Sequence, residues 1–361
     1  MGPAMRNSLR TGPIATWQAG DAVQGFALVR RRDLRQDKGG RDYLDLELAD
    51  ASGAIAAKAW SDSAALAQEF AAHDYVKFRG QVQSYKEQLQ LRLENCRRVV
   101  EPDRQEGFDE ALLIPTTKED LDALWQRLEG LLEAHLARPL ARRLAAETLA
   151  AHGVALRVHP AAKAIHHAFR GGLLEHVVSM LGLAVRICDH YPELDRDLVV
   201  LGVLFHDLGK LLELGAMPVN DYTPVGRLVG HIILGRDLLR ERCAAIEEFP
   251  EELRLQLEHL VLSHQGRKEF GSPVEPMTPE AIVLHIVDDL DSKLAVLRGL
   301  KDNARGAAGF VWARSLDRFV WLAEDATTDP GSELPAPGAG AGEGEPAADD
   351  GAGPPEQKTI W

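Results

Sequence analysis

Cysteine is scarce in this 361-residue chain: Cys96, Cys188 and Cys243 stand far apart and none forms a CxxC pair. That excludes a disulfide framework and a cysteine-built zinc site, and it fits reduced thiols in a cytoplasmic protein. Long apolar runs are missing too. None approaches the roughly 18 to 20 residues that span a bilayer, and no charged segment followed by an apolar one opens the chain, so neither insertion nor export is expected. Positive charge is outnumbered, with 41 Lys and Arg against 55 Asp and Glu for a net of −14. This argues at first against a nucleic-acid partner, because phosphate is held largely by Lys and Arg. The distribution changes that reading. Residues 20–100 carry 13 Lys or Arg against 12 Asp or Glu, whereas 324–361 hold nine acids and one Lys, so the N-terminal part is the locally basic part of an acidic protein.

With 45 % hydrophobic residues, the chain can bury two cores. Residues 1–19 show no periodicity and are expected to be a flexible lead-in. From Ala22 the segments AVQGFALVRRR, RDYLDLELAD and GAIAAKAW alternate apolar and polar positions between turn residues. A helix, DSAALAQEFAAH, follows, and then two more strands, YVKFRGQVQSY and QLQLRLENCRRVV. Five strands with a helix between the third and fourth is the order of an all-β OB-fold barrel, placed here at 20–100. Such barrels bind single strands by stacking bases on aromatics and tracking phosphates with cations. The candidates for this are Arg30, Arg32, Tyr43, Lys58, Trp60, Lys77, Arg79 and Tyr85, the basic groove carrying more weight than any one ring.

Residues 101–115 read as a polar linker and 116–154 as connecting helices, with Thr117 as N-cap of the first and Pro139 separating the two. His135 and His152 are expected at the surface. From 155 to 323 the pattern is that of an all-α array. Within it LGVLFHDLGK, Leu201 to Lys210, is an apolar helix ending in an adjacent His206 and Asp207, with Lys210 one turn on. His176 lies upstream; His231, His264 and Asp288 lie downstream, each in a stretch of helical periodicity. Four His and two Asp are a supply for two divalent ions. Imidazole and carboxylate suit Mn, Fe, Zn or Co, and one carboxylate must bridge if two ions are to sit ~3.5 to 4 Å apart. Asp207 is the candidate bridge. Asp291 shares a helix face with Asp288 and is equally eligible as the last ligand. His285, one turn before Asp288, is a candidate to orient a ligand through a hydrogen bond. Arg267 and Lys268, in the Gly- and Pro-rich loop after His264, could meet a substrate backbone. Beyond 324 the composition predicts a disordered acidic tail.

The ordered set His176, His206-Asp207 and Asp288 resembles the HD phosphohydrolase superfamily, and His231 and His264 resemble its two-metal branch. More narrowly, IHHAFRGGLLEH, LFHDLGK, GHIILG, SHQGRKEFGSP and LHIVDDLDSK, after an OB-like domain, resemble the YhaM-type 3'-to-5' exoribonucleases. The likeness covers roughly residues 20–320 and selects Asp288 over its neighbours. It implies two divalent ions, Mn foremost with Fe, Co, Zn or Mg as alternatives, and catalytic roles for Asp207 and Lys210. It also implies an active-site lining from His166 and His167 and a single-stranded RNA substrate, with single-stranded DNA as a second candidate. Gln265 departs from the family, where a second His often follows the Ser-His. A hydrolase of a small cyclic or polyphosphorylated nucleotide, and a non-catalytic strand-binding protein, are the competing readings.

Overall fold

A computed structural model describes residues 12–60, 63–86, 88–163, 167–303 and 309–323. The N-terminal strands are β1 (Ala22–Gln36), β2 (Asp42–Asp50) and β3 (Gly53–Ala59), followed by α1 (Ser63–Glu69), β4 (Tyr75–Tyr85) and β5 (Gln88–Arg98). They close into a barrel in the order β1-β2-β3-β5-β4, with β3 and β5 parallel and the other pairs antiparallel. Closure leaves no unpaired edge. It requires β1 to serve two neighbours: Ala22 to Leu28 pair with β4, Leu28 to Gln36 pair with β2, and an irregularity between Val29 and Arg31 bends the strand where it changes partner. Alternation puts Val23, Leu44, Leu46, Leu48, Ile55, Val76, Phe78 and Leu91 inside.

Two expectations change at the barrel's margins. The lead-in is anchored from residue 12 onward: Ile14 and Trp17 are buried in the barrel core, the Ile14 amide donates to Asp50 at 2.7 Å, and Trp17 lies 5.8 Å from the Phe78 ring. Residues 1–11 lie outside the described residues. The linker is likewise tied down. Asp103, 1 % exposed, accepts from both ends of the Arg97 guanidinium at 2.6 and 2.7 Å, from Lys77 at 3.2 Å and from the Val100 amide at 2.9 Å.

The helical part comprises α2 (Leu121–His135), α3 (Pro139–Leu156), α4 (Gly172–His190), α5 (Arg196–Phe205), α6 (Lys210–Glu213), α7 (Pro224–Val229), α8 (His231–Ala244), α9 (Glu251–Ser263) and α10 (Pro279–Asn303). α2 and α3 share one core with the rest: Leu124, Leu128, Leu132 and Leu144 pack in the same cluster as Leu174, Val178, Leu201, Leu260 and Leu284. The N-cap of α2 is Asp120, whose carboxylate accepts from the Ala123 amide; Thr117, the expected cap, instead donates its hydroxyl to Glu175. His135 and His152 are both half-buried, against the expected surface positions. Helical periodicity also gives no hint of a hairpin that ends the described chain, β6 (Gly309–Ala313) with β7 (Arg318–Leu322). The acidic stretch from 324 lies outside the described residues. Among the described residues no helix is long and apolar enough to cross a membrane.

Asp197 fastens α5 to the turn between α2 and α3. It accepts from the Ala137 amide at 2.7 Å, the Arg138 amide at 2.9 Å and the Arg138 guanidinium at 2.7 Å. Burial opposes its charge, but these donors outweigh burial and hold the carboxyl below its ordinary range. Asp197→Ala removes the shared acceptor of two backbone amides and a guanidinium and should destabilise the fold by about 2 kcal/mol at pH 7. Because the folded-state pKa is the depressed one, that stabilisation is present at neutral pH and fades as pH falls below about 4. Urea denaturation of both proteins across this range checks it, and a penalty independent of pH would deny the carboxylate the role.

Candidate metal centre

α5 is buried on every side from Asp197 to Phe205 and ends with His206 as its C-cap. His206 and Asp207 therefore stand where a helix dipole presents its negative end, inside the core, a place that favours cations. His176 comes from α4, His231 opens α8, His264 caps α9 and Asp288 lies on α10. The Nε2 atoms of His176 and His206 are 3.4 Å apart, and His176 Nε2 is 3.3 Å from Asp288 Oδ1. Asp207 divides its carboxylate between two groups. Oδ2 lies 3.2 Å from His206 Nε2 and 3.8 Å from His176 Nε2, while Oδ1 lies 3.6 Å from His231 Nε2 and 3.8 Å from His264 Nε2. The six side chains thus form two clusters that can each hold an ion, His176-His206-Asp288 and Asp207-His231-His264, with Asp207 reaching both.

The outer nitrogen of every histidine is occupied, so its inner nitrogen is presented as a lone pair. His206 Nδ1–H donates to the Val203 carbonyl at 2.8 Å and His264 Nδ1–H to the Val261 carbonyl at 2.7 Å. His176 donates to Asp291 at 2.8 Å and His231 to Glu213 at 3.0 Å. Fixed tautomers of this kind are the usual support of metal-bound imidazoles. His264 Nε2 is fully buried with no hydrogen-bond partner, a costly arrangement unless a cation completes it. By residue type and by this orphaned lone pair, the site fits divalent metal.

Electrostatics agree. Burial penalises the Asp207 carboxylate, but Lys210, with Nζ 2.6 Å from Oδ2, and His206 hold it ionised, well below the carboxylate range. Burial and the neighbouring His206 push His264 down to about 4, so it stays neutral and free to ligate. His176 differs: burial would lower it, yet its bonds to Asp288 and Asp291 outweigh burial and raise it to about 9, so without a cation it carries a proton toward Asp288 that an entering ion must displace.

Two glycines explain the spacing of the motifs. A Cβ on Gly209 would fall 2.0 Å from the His231 carbonyl oxygen and 2.5 Å from the Gly235 amide nitrogen, so the turn after Asp207 touches the start of α8 backbone to backbone. Gly266, at φ +80°, leaves room for the His285 ring, whose Nδ1–H donates to the His264 carbonyl at 2.9 Å. His285 thereby braces the turn that carries His264.

The other expected residues are placed as follows. His167 is buried, with Nε2 3.4 Å from Asp291 and its ring 5.4 Å from that of His176, on the outer side of the ligand shell. His166 lies outside the described residues. Arg267 is exposed and pairs with Glu269, and Lys268 is exposed beside it. Gln265 turns its amide toward the second cluster, 3.5 Å from His231 Nε2. Glu213 went unnoticed in the sequence although it supports His231 twice, through the backbone amide at 2.9 Å and through Nδ1. Its signal was its place, one turn beyond Lys210 on the same short helix. On the barrel, Arg32 is committed to the Ala67 and Phe70 carbonyls at the end of α1, and Lys77 to Asp103 and Glu106. Arg32 is thereby held by backbone, while Lys77, beside Arg79 and Arg97, still lines a cleft of about 520 Å³. Arg30 and Arg79 form exposed pairs with Glu47 and Glu94. Tyr43 and Trp60 stack at 4.7 Å with Lys58 over the Tyr43 ring, and Tyr85 is exposed under Lys86.

Glu213→Ala and Asp291→Ala should each weaken divalent-metal binding about 10- to 100-fold by releasing a ligating imidazole from its tautomer. Calorimetric titration of the metal-stripped proteins with Mn measures this. Wild-type affinity in both variants would show that the outer hydrogen bonds are dispensable.

Comparison with known proteins adds sequence relatives to this geometry. The family model for the HD domain matches residues 173–293. A 3'-5' exoribonuclease YhaM of Bacillus pumilus is 38 % identical over 288 residues, 79 % of this chain and 89 % of that protein. Among solved structures, the second OB-fold domain of replication protein A from Methanococcus maripaludis is similar over 24 % of this chain and 93 % of its own, at 19 % identity and TM-score 0.20. PriB from Ralstonia solanacearum is similar over 22 % of this chain and 97 % of its own, at 16 % identity and TM-score 0.19. The chain belongs to the family of YhaM-type 3'-5' exoribonucleases.

Proposed function

We propose that this protein is a metal-dependent exonuclease that shortens single-stranded RNA from its 3' end, with single-stranded DNA as a second substrate. The observation that carries the reading is the division of the Asp207 carboxylate between two histidine clusters in a chain related along most of its length to an exoribonuclease. His176, His206 and Asp288 would hold one ion, His231 and His264 the other, with Asp207 shared. Two divalent ions there supply Lewis acidity toward a phosphate and a bound water of lowered pKa. Mn is the first choice on ligand type, which Fe, Co and Zn also satisfy.

The chain's own residues do the rest. Asp207 stays ionised beside Lys210, whose ammonium at the edge of the cluster can turn to a non-bridging phosphate oxygen and stabilise charge that builds during displacement. Burial of the ligands keeps bulk water from the imidazoles. On the barrel, the strand-binding surface is the face of β2 and β3 with the β4–β5 turn, the usual oligonucleotide face of this architecture. Tyr43 and Trp60 offer the stacking platform, Lys58 the cation, and Tyr85 the aromatic in the turn. Arg30 and Arg79 can exchange their exposed carboxylate partners for phosphate at small cost. Lys268 and Arg267 border the loop after His264. His167, through Asp291, acts on the orientation of His176. The three buried thiols fit a cytoplasmic protein.

A 5'-labelled RNA oligomer incubated with and without Mn tests the reading, beside matched DNA, a duplex and a cyclic dinucleotide. A metal-dependent ladder shortening from the 3' end is expected, with Asp207→Ala lowering the rate at least about a thousandfold. Hydrolysis of the cyclic dinucleotide with the oligomers intact would replace the reading with that of a small-nucleotide hydrolase. For the barrel, Trp60→Ala should raise the Kd for single-stranded RNA about 5- to 150-fold, and Lys58→Ala should flatten the salt dependence by about one counterion. Fluorescence anisotropy at several salt concentrations reads both, and unchanged binding in both variants would move the strand off this face.

A further inference from the structure

The hairpin of β6 and β7 carries a surface that neither the metal centre nor the barrel explains. Its register pairs Phe310 with Trp321 and Trp312 with Phe319. Side chains alternate across a strand, so all four rings stand on one face, and Val311 and Val320 stand on the other. The rings meet edge to face at 5.0 Å in both pairs. They nevertheless face water: Phe310 is 72 % exposed, Trp312 47 %, Phe319 64 % and Trp321 63 %.

Beside the ribbon runs a groove of about 850 Å³, walled mainly by leucines of α4 and α10 and by Val320 and Trp321, with Lys301 and an Arg298 paired to Asp291 at 3.7 Å among its polar lining. Helix α10 extends the apolar surface, since Ile282, Ile286, Leu290 and Leu294 recur every fourth residue and each is between 42 % and 53 % exposed. Rings of ~150–250 Å² each, exposed to this extent, leave roughly 500 Å² of aromatic surface in water. The α10 row takes the patch beyond the ~300–600 Å² that is the largest on a typical monomer. It brings it close to the ~800 Å² per partner buried in a stable interface.

A nucleic-acid strand does not suit this place. The groove reaches Asp291, which holds Nδ1 of His176, whereas the converging Nε2 atoms of the metal centre point the other way, so a strand lying here would end behind the ligand shell. A second copy suits it well. One patch contains both a projecting ribbon and an apolar groove, and a two-fold axis seats each ribbon in the groove of the other copy, the self-complementary arrangement of an isologous interface. We infer that the aromatic ribbon, the groove and the exposed row of α10 form a self-association surface that joins two copies of this chain across a two-fold axis. Pairing covers Asp291, and with it the rear of the metal centre.

Sedimentation velocity of the full chain between about 0.1 and 50 μM tests this. The expected mass at the upper concentrations is at least twice the 39.6 kDa of one chain. Trp312→Ser with Trp321→Ser, and separately Ile286→Lys with Leu290→Lys, should each weaken association about a hundredfold or more with far-UV circular dichroism unchanged. Should the ribbon variant misfold, the helix variant decides alone. A wild-type chain that sediments as a monomer at 50 μM overturns the inference, and so does an oligomer that survives both pairs of substitutions. Loss of RNA affinity from a monomer carrying the ribbon variant would make the rings a strand platform instead, and would also overturn it.

Discussion

A carboxylate sealed in a protein core has to be answered by positive charge, and the helical half of this protein is arranged around that requirement at Asp207. The residue is 3 % exposed, carried in by a helix buried from Asp197 to Phe205, and met by a lysine and by imidazoles from three other helices. Burial this deep would neutralise an isolated acid. Here it concentrates the field instead, because the low polarity of the surroundings strengthens attraction to any cation that enters. The close approach of Gly209 to α8, the bracing of His264 by His285 and the anchoring of His231 by Glu213 all serve to bring donors within reach of one pair of oxygens.

The barrel and the helical domain solve different problems with their polar groups. The helical domain aims its polar groups inward and orders them with hydrogen bonds on their outer atoms. The barrel keeps an apolar interior and distributes its cations outside, where some are committed to architecture, as Arg32 and Lys77 are, and others rest in weak surface pairs. Sequence cannot separate these two kinds of cation, because the partners of Arg32 are backbone carbonyls of a helix 35 and 38 residues away.

Much was legible beforehand, for local reasons. Alternation in β1 to β5 marks one wet and one dry face, and helical spacing from α4 to α10 marks the buried stripes, so the barrel, the helices and the presence of six eligible ligands follow from periodicity and residue type. What was not legible depends on pairs distant in sequence. Asp291 reads as an equivalent of Asp288 until α4 brings His176 and Ser179 to it. Glu213 reads as an ordinary helix residue until the turn at Gly209 delivers His231. The anchoring of Trp17 escaped because a single apolar residue has no period, and the hairpin because a helical stretch gives no notice of where it will stop.

The orphaned nitrogen of His264 has a consequence for the lifetime of the molecule. A buried lone pair without a donor destabilises a fold by about 1–3 kcal/mol, and here it sits beside a carboxylate whose counter-charge is partly borrowed from Lys210. Ions that fill the centre bind the folded chain and not the unfolded one, so they shift the folding equilibrium toward the native state. Scarcity of metal then acts on abundance as well as on chemistry: a starved chain opens more often, and in a cell that contains proteases, opening is what shortens persistence.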